Sequence, residues 1–450
     1  MKGKFLFILL AVMMIFALIS CQPKTVTEPT AVATEEAGTT PTEEVVVEAI
    51  EAISTEPVII TFWMMGGEDQ IAYMDKWLKV FNEQYPNITV EYKILDWTNG
   101  PAQVLTAFAG GIGPDVFVTY SNGIPRWVEN GAYQALDGYF NKEDFSAISM
   151  ELATWKDQLY AIPWNLKIHT YYVRSDYLKE AGIDKVPETW DELVDASKAM
   201  TQYDSAGNIT RSGLWINVNH PYKTISQFQV LMMSAGGTYF SEDGCNSTFN
   251  GPPGIEAAQL IDDLLNVYKV DAPGAITIDA VDFAQGKVAS LFSNLATRGL
   301  VANYPDVVPY VEIVAPPHKG DNKGIGQTGG NYMGISPTTK HFNEALALVK
   351  FLTMDPRPLY DYALTEGGAI AYKPAMTDEY YAIDPFVERW NALIENNGAG
   401  EPKHPNWAEI SNEITVALDK IYLEGVDPKE ALNTAAVNVD LLLERYGCAQ

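Results

Sequence analysis

Positive charge is scarce in this chain of 450 residues: 30 Lys and Arg stand against 58 Asp and Glu, a formal net charge of −28. That deficit argues against nucleic acid and anionic lipid headgroups as partners, because both repel an acidic surface. Cysteine is almost missing, with only Cys21, Cys245 and Cys448. The five histidines (His169, His220, His318, His341, His404) include no pair at i, i+4. No Cys or His spacing therefore suits a metal, and no cofactor is expected. A nucleophile elbow, a phosphate-binding loop and any internal repeat are also lacking, so the common sequence signs of hydrolases and nucleotide enzymes are absent. There is one long apolar run, at residues 5–19, and no second.

The run follows Met1-Lys2-Gly3-Lys4, and a short basic segment before an apolar core describes a secretory signal peptide, here 1–20. It falls short of the roughly 20 apolar residues that a membrane-spanning helix needs. It ends in Leu18-Ile19-Ser20-Cys21, which resembles the bacterial lipobox, where the chain is cut before the cysteine and the thiol takes lipid. Residues 22–57 are rich in Thr, Glu, Pro, Ala and Val and hold no aromatic residue. Such a segment buries too little apolar surface to offset its ordering entropy, so 21–57 is expected to be a disordered tether. With Cys21 lipidated, Cys245 and Cys448 remain, an even number in a disulfide-permissive compartment. A bridge pinning the C-terminus to a surface loop and two unpaired thiols are both open.

The body from residue 58 is long enough for two domains. It opens on an apolar strand at 57–63, a turn at Gly66-Gly67, and a helix with apolar positions Ile71, Met74, Leu78, Phe81 and Tyr85, spaced for one helical face. Alternation at Ile88, Val90, Tyr92 and Ile94 predicts a second strand. A helix over about 101–109 and a short strand at 115–119 follow. Strand, helix, strand, helix, strand predicts an α/β fold with parallel sheets. Further on, Thr189-Trp190-Asp191-Glu192 reads as a capping box, and Asp427-Pro428 as a helix start. Long helices are expected over 407–421 and 432–446.

Across this body the motifs resemble one family in the family's order. They are Trp63 after the first strand, Phe81-x-x-x-Tyr85-Pro86-Asn87-Ile88-x-Val90, residues 109–116 (Ala-Gly-Gly-Ile-Gly-Pro-Asp-Val), and 131–137 (Gly-Ala-Tyr-Gln-Ala-Leu-Asp). Then come 159–164 (Leu-Tyr-Ala-Ile-Pro-Trp), 171–176, 186–193, 234–237, 283–289, Gly329-Gly330 before Met333-Gly334-Ile335-Ser336, and Gly367-Gly368. The chain resembles the family 1 extracellular solute-binding proteins of bacterial ABC importers, the maltodextrin-binding-protein-like group. The resemblance implies a two-lobed periplasmic-binding-protein fold, type II-like, with each lobe a mainly parallel sheet flanked by helices and ligand in the cleft between them. By analogy the N-terminal lobe takes 58–165 plus 331–375 and the C-terminal lobe 166–330 plus 376–450. It also implies permease subunits as partners, a monomer, and an extracytoplasmic location at a membrane through Cys21.

In open α/β sheets, ligands sit beyond the carboxyl ends of strands. That rule singles out Trp63, Glu68 and Asp69 after the first strand, and Tyr120 and Asn122 after the third. Asp115 is expected to hold backbone structure instead. At the first crossing stand Trp164, the best aromatic platform, with Asn165 and Lys167; the Asn-Leu-Lys here departs from the acidic-polar pattern of relatives. Trp215, Asn294, Arg298, Asn331 and Tyr332 complete the candidates. Flat rings plus planar donors and acceptors suit the apolar faces and hydroxyl rims of sugars. The expected function is capture of a sugar or oligosaccharide for an ABC importer, without catalysis. A non-sugar solute (polyamine, phosphate ester, or iron, hinted at by Tyr171-Tyr172) and a sensor are the alternatives, and a glycoside hydrolase working through two carboxylates is further off.

Overall fold

The computed structural model describes residue 53 and residues 55–274, 279–295 and 297–449, without the side chains of Asp69 and Arg298. The signal segment, Cys21 and nearly all of the expected tether lie outside the described residues. No helix among the described residues is long and apolar enough to cross a membrane.

The apolar strand Val58–Met65 pairs in parallel along its whole length with Ile88–Leu95, and with Val116–Tyr120 on its other side. The helix Glu68–Gln84 connects the first pair. Its buried stripe is Tyr73, Met74, Trp77, Leu78 and Phe81, while Ile71 is 44% exposed. The stripe is thus rotated from the one expected, because two aromatic residues offer more area to bury than Ile71. Asn331–Ile335 then adds antiparallel to Val116–Tyr120, and Ile162–Pro163 antiparallel to that.

A second sheet is organised around Lys167–Arg174, which pairs antiparallel with Ser290–Ser293, Val311–Val314 and Gly326–Gly329. Gly398–Gly400 closes the edge in parallel with Gly326–Gly329. Both sheets are mixed: in the first only Asn331–Ile335 runs against the other strands, and in the second Lys167–Arg174 runs against the three strands it pairs with. The cause is the crossing segments: Lys167–Arg174 leaves the first sheet as Gly326–Gly329 returns toward it, and neighbours running out and back must pair antiparallel.

Side chains of the second sheet fall into two apolar clusters, one holding Ile168 and Tyr172, the other Tyr171 and Val173, as strand alternation requires. The helices Trp407–Glu424 and Pro428–Tyr446 pack into the second cluster. Thr189 and Glu192 form the reciprocal capping box, and Asp427 accepts from the Glu430 amide at 3.0 Å. Cys245 and Cys448 form a disulfide with Cα atoms 4.4 Å apart; beside it the Ala449 amide donates to the Gly244 carbonyl.

Candidate functional site: a polar seam between the sheets

The carboxyl edge of the first sheet gathers four of the expected residues. Tyr120 is in register with Asn331, and the Asn331 amide donates to Asn165 Oδ1 at 3.0 Å. The Trp164 amide donates to the Asn331 carbonyl. Two glycines permit this closeness: a Cβ on Gly330 would lie 2.0 Å from the Asn165 carbonyl oxygen, and one on Gly329 2.6 Å from the Tyr120 ring. Asn331 Nδ2 donates to Tyr362 Oη at 2.9 Å, which leaves its Oδ1 and Asn165 Nδ2 buried without a partner.

The second sheet meets this edge with its own polar row. His169 is in register with Gln327, and Thr328 with Gly400. Tyr222, just before the helix Lys223–Ser234, lies edge-on to His169 with ring centroids 5.3 Å apart. Its hydroxyl stands 3.4 Å from that of Tyr120 across the seam. A second contact crosses beside it: Asn122 Nδ2 donates to Glu401 Oε2 at 2.7 Å. His169 Nε2, Gln227 Nε2, Gln327 Oε1 and Thr328 Oγ1 are buried and unpartnered. Buried amides and imidazoles normally find partners, so this row has bonding capacity for a molecule with many hydroxyls.

Charge in the seam is low. Burial, reinforced by Lys223 and Lys167, holds His169 down at about 3, so its ring is neutral at ordinary pH. Burial pushes the Glu401 carboxyl up to about 7, against hydrogen bonds from Trp407, Asn122 and Gln327. Lys223 is paired with Asp279 and its ammonium lies over the Trp215 ring, 4.7 Å from the centroid. Ser293 also donates to Asp279. This places the buried Trp215 in a charged corner beside the start of the helix Lys223–Ser234.

Other expected residues have different places. Trp164 is fully buried, stacked on Tyr362 at 3.5 Å and edge-on to Phe62 and Tyr73. It belongs to the aromatic core, since protein rings already cover the face a sugar would need. Tyr332 is likewise fully buried, with its hydroxyl donating to the Ser149 carbonyl. Lys167 pairs with Glu366 at 3.1 Å, and Gln70 Nε2 bonds the same carboxylate, so it ties the crossing strand to the first helix. Asn294 lines a small cavity with Lys167, Gly367 and Gly368. Trp63 is half-buried under the Lys93 ammonium, and Glu68 is exposed on the first helical turn. The side chains of Asp69 and Arg298 lie outside the described residues. Asp115 binds the Thr61 amide and the hydroxyls of Thr61 and Thr339, the structural role expected of it. Tyr171 and Tyr172 are both fully buried in separate clusters, which removes the hint of a paired-tyrosine iron site.

The sequence reading missed Tyr222, Gln227, Gln327 and Glu401. None sits in a motif; Gln327 has one local signal, its place just before the Gly329-Gly330 crossing. Among the described residues no group of three His, Cys, Asp or Glu side chains is arranged for a metal ion.

A sequence profile described as "Bacterial extracellular solute-binding protein" matches residues 66–355. Relatives include a putative binding protein of Brucella abortus, 25% identical over 392 residues, covering 83% of this chain and 90% of that protein. Another is the lactose-binding protein of Rhizobium radiobacter, 23% identical, covering 72% and 77%. Among solved structures, an ABC transporter solute-binding protein from Thermotoga lettingae bound with alpha-D-tagatose matches with a TM-score of 0.73 at 22% identity, covering 86% of this chain and 99% of that one. Maltose-bound MalE3 of T. maritima also gives 0.73 at 22% identity, covering 86% and 100%. These likenesses show a two-domain α/β fold.

Proposed function

The chain belongs to the bacterial extracellular solute-binding proteins, and on that premise we propose that it captures a sugar or short oligosaccharide outside the cytoplasm and delivers it to the permease of an ABC importer. The observation that carries this is the seam itself: Tyr120 meets Tyr222 and Asn122 meets Glu401 across it, and beside these contacts Asn165, Asn331, His169 and Gln327 hold uncharged, buried bonding groups without partners. Sugar hydroxyls donate and accept, and uncharged amides and a neutral imidazole match both capacities. Tyr120, Tyr222 and Trp215 supply rings for the apolar faces of a pyranose. The relatives named for lactose and the neighbours holding tagatose or maltose support a carbohydrate cargo.

In this reading the lobes are 58–165 with 331–375 and 166–330 with 376–450, the segments near 165, 330 and 375 form the hinge, and ligand closes the lobes because only the closed state lets it touch both. The protein works as a monomer held at a membrane by lipid on Cys21, and it performs no chemistry on its cargo.

The test is the melting temperature of the purified protein against mono- and oligosaccharides, with polyamines and phosphate esters as controls. A ligand of the native state at a hundredfold excess over its Kd adds about 2.7 kcal/mol of stability. A shift with one sugar class supports the reading; a shift only with a control retains the fold and discards the carbohydrate. Release of hydrolysed product from the stabilising sugar would overturn the non-catalytic role.

A further inference from the structure

Two carboxyls join the lobes directly among the described residues: Glu366 pairs with the cation Lys167 beside the crossing segment, and Glu401 meets the neutral Asn122. Glu401 follows the edge strand Gly398–Gly400 of the second sheet, is 8% exposed, and accepts from Asn122 of the first lobe at 2.7 Å and from Trp407 Nε1 of its own lobe at 3.2 Å. Every partner it has is neutral. Lys403, two residues on, points elsewhere, to the carbonyls of Glu151 and Thr154. The nearby tyrosines 120, 222 and 239 are raised by burial and stay uncharged. His404 binds the Gly447 carbonyl and is lowered by burial. Lys223 and Lys167 are committed to Asp279 and Glu366.

We propose that the Asn122–Glu401 contact is a proton-linked latch: the lobes close most favourably when Glu401 is protonated, and ionisation of this carboxyl loosens them. The inference depends on the two-lobed hinge and not on the identity of the cargo. An ionised carboxylate held among neutral donors bears a desolvation cost that a neutral carboxyl does not. Opening removes Asn122 and Tyr120 and lets water reach the group, so the carboxyl that burial pushes up to about 7 falls back toward the ordinary carboxylate range. The sign follows from linkage: the closed state binds the proton more tightly, so acid favours closure. The closed-to-open ratio should fall roughly tenfold per pH unit between about 5 and 7 and level off above that. A solute captured in a mildly acidic exterior would be held more firmly there than at neutral pH.

The experiment is small-angle X-ray scattering of the full chain without any sugar, from pH 5 to pH 8.5. Leaving the cargo out separates failure of this proposal from failure of the carbohydrate reading. The expected result is a radius of gyration that rises with pH in the native protein and stays constant in Glu401→Gln, which mimics the protonated carboxyl. A radius independent of pH in the native protein, or the same response in Glu401→Gln, overturns the latch. Should Glu401→Gln fail to fold, Trp407→Phe decides. Removing a donor to the carboxylate must move the midpoint of the pH response upward, and an unmoved midpoint rejects Glu401 as the titrating group.

Discussion

The two sheets are held together by different kinds of information. The first takes its central strands, 58–65, 88–95 and 116–120, from consecutive strand–helix–strand units, with an unbroken parallel register between the first two. The second draws its strands from 167–174, 290–293, 311–314, 326–329 and 398–400, with long helical stretches between the first two and between the last two. One is assembled from neighbours along the chain, the other from partners brought in over large loop-closure distances. The first sheet offers its site residues through backbone register, as with Tyr120 opposite Asn331. The second offers them through side chains such as Gln327 and Glu401, whose positions depend on the whole lobe.

This contrast can be tested by breaking each side. The largest effect should come from Trp164→Ala, which empties an aromatic stack and should cost about 3–5 kcal/mol in denaturant unfolding. A variant of native stability with weakened sugar binding would return this ring to the cleft wall. Cys448→Ser should follow at about 2–4 kcal/mol, because the bridge joins cysteines 203 residues apart along the chain; a melt that loses only second-lobe structure first would sharpen the comparison. Gly330→Ala drives a Cβ into the Asn165 carbonyl and should destabilise by about 1–3 kcal/mol, measured by thermal unfolding. The smallest effect belongs to Tyr120→Phe, which removes one hydroxyl contact with Tyr222. It should weaken sugar binding by about 1 kcal/mol in calorimetry while leaving the fold intact.

Much of the first lobe was legible because its signals are local. The strands around Phe62 and Val90, the helix stripe through Met74, Leu78 and Phe81, and the structural role of Asp115 each follow from spacing or from a motif a few residues long. Of the seam between the sheets, the part a strand end announces was legible, as with Tyr120, Asn165 and Asn331. The seam was not legible where aromatic identity stood in for exposure. Trp164 occupies a strand end, yet it faces Tyr362 from a distant helix, and no local pattern announces that partner. Glu401 and Gln227 were invisible for the same reason in reverse: each reads as an ordinary polar residue until a distant strand or helix buries it.

By itself the sequence determined the acidic two-domain α/β body, the family motifs in order, the helix starts at Thr189 and Asp427, and the strand ends where a ligand could lie. These are set by periodicity, capping and turn chemistry, which act over a few residues. Only the tertiary structure decided strand direction in the second sheet, the burial of Trp164 and Tyr332, and the meeting of Asn122 with Glu401 across the seam. Those outcomes depend on which surfaces exclude water together, and desolvation is a property of the packed molecule rather than of any segment in it.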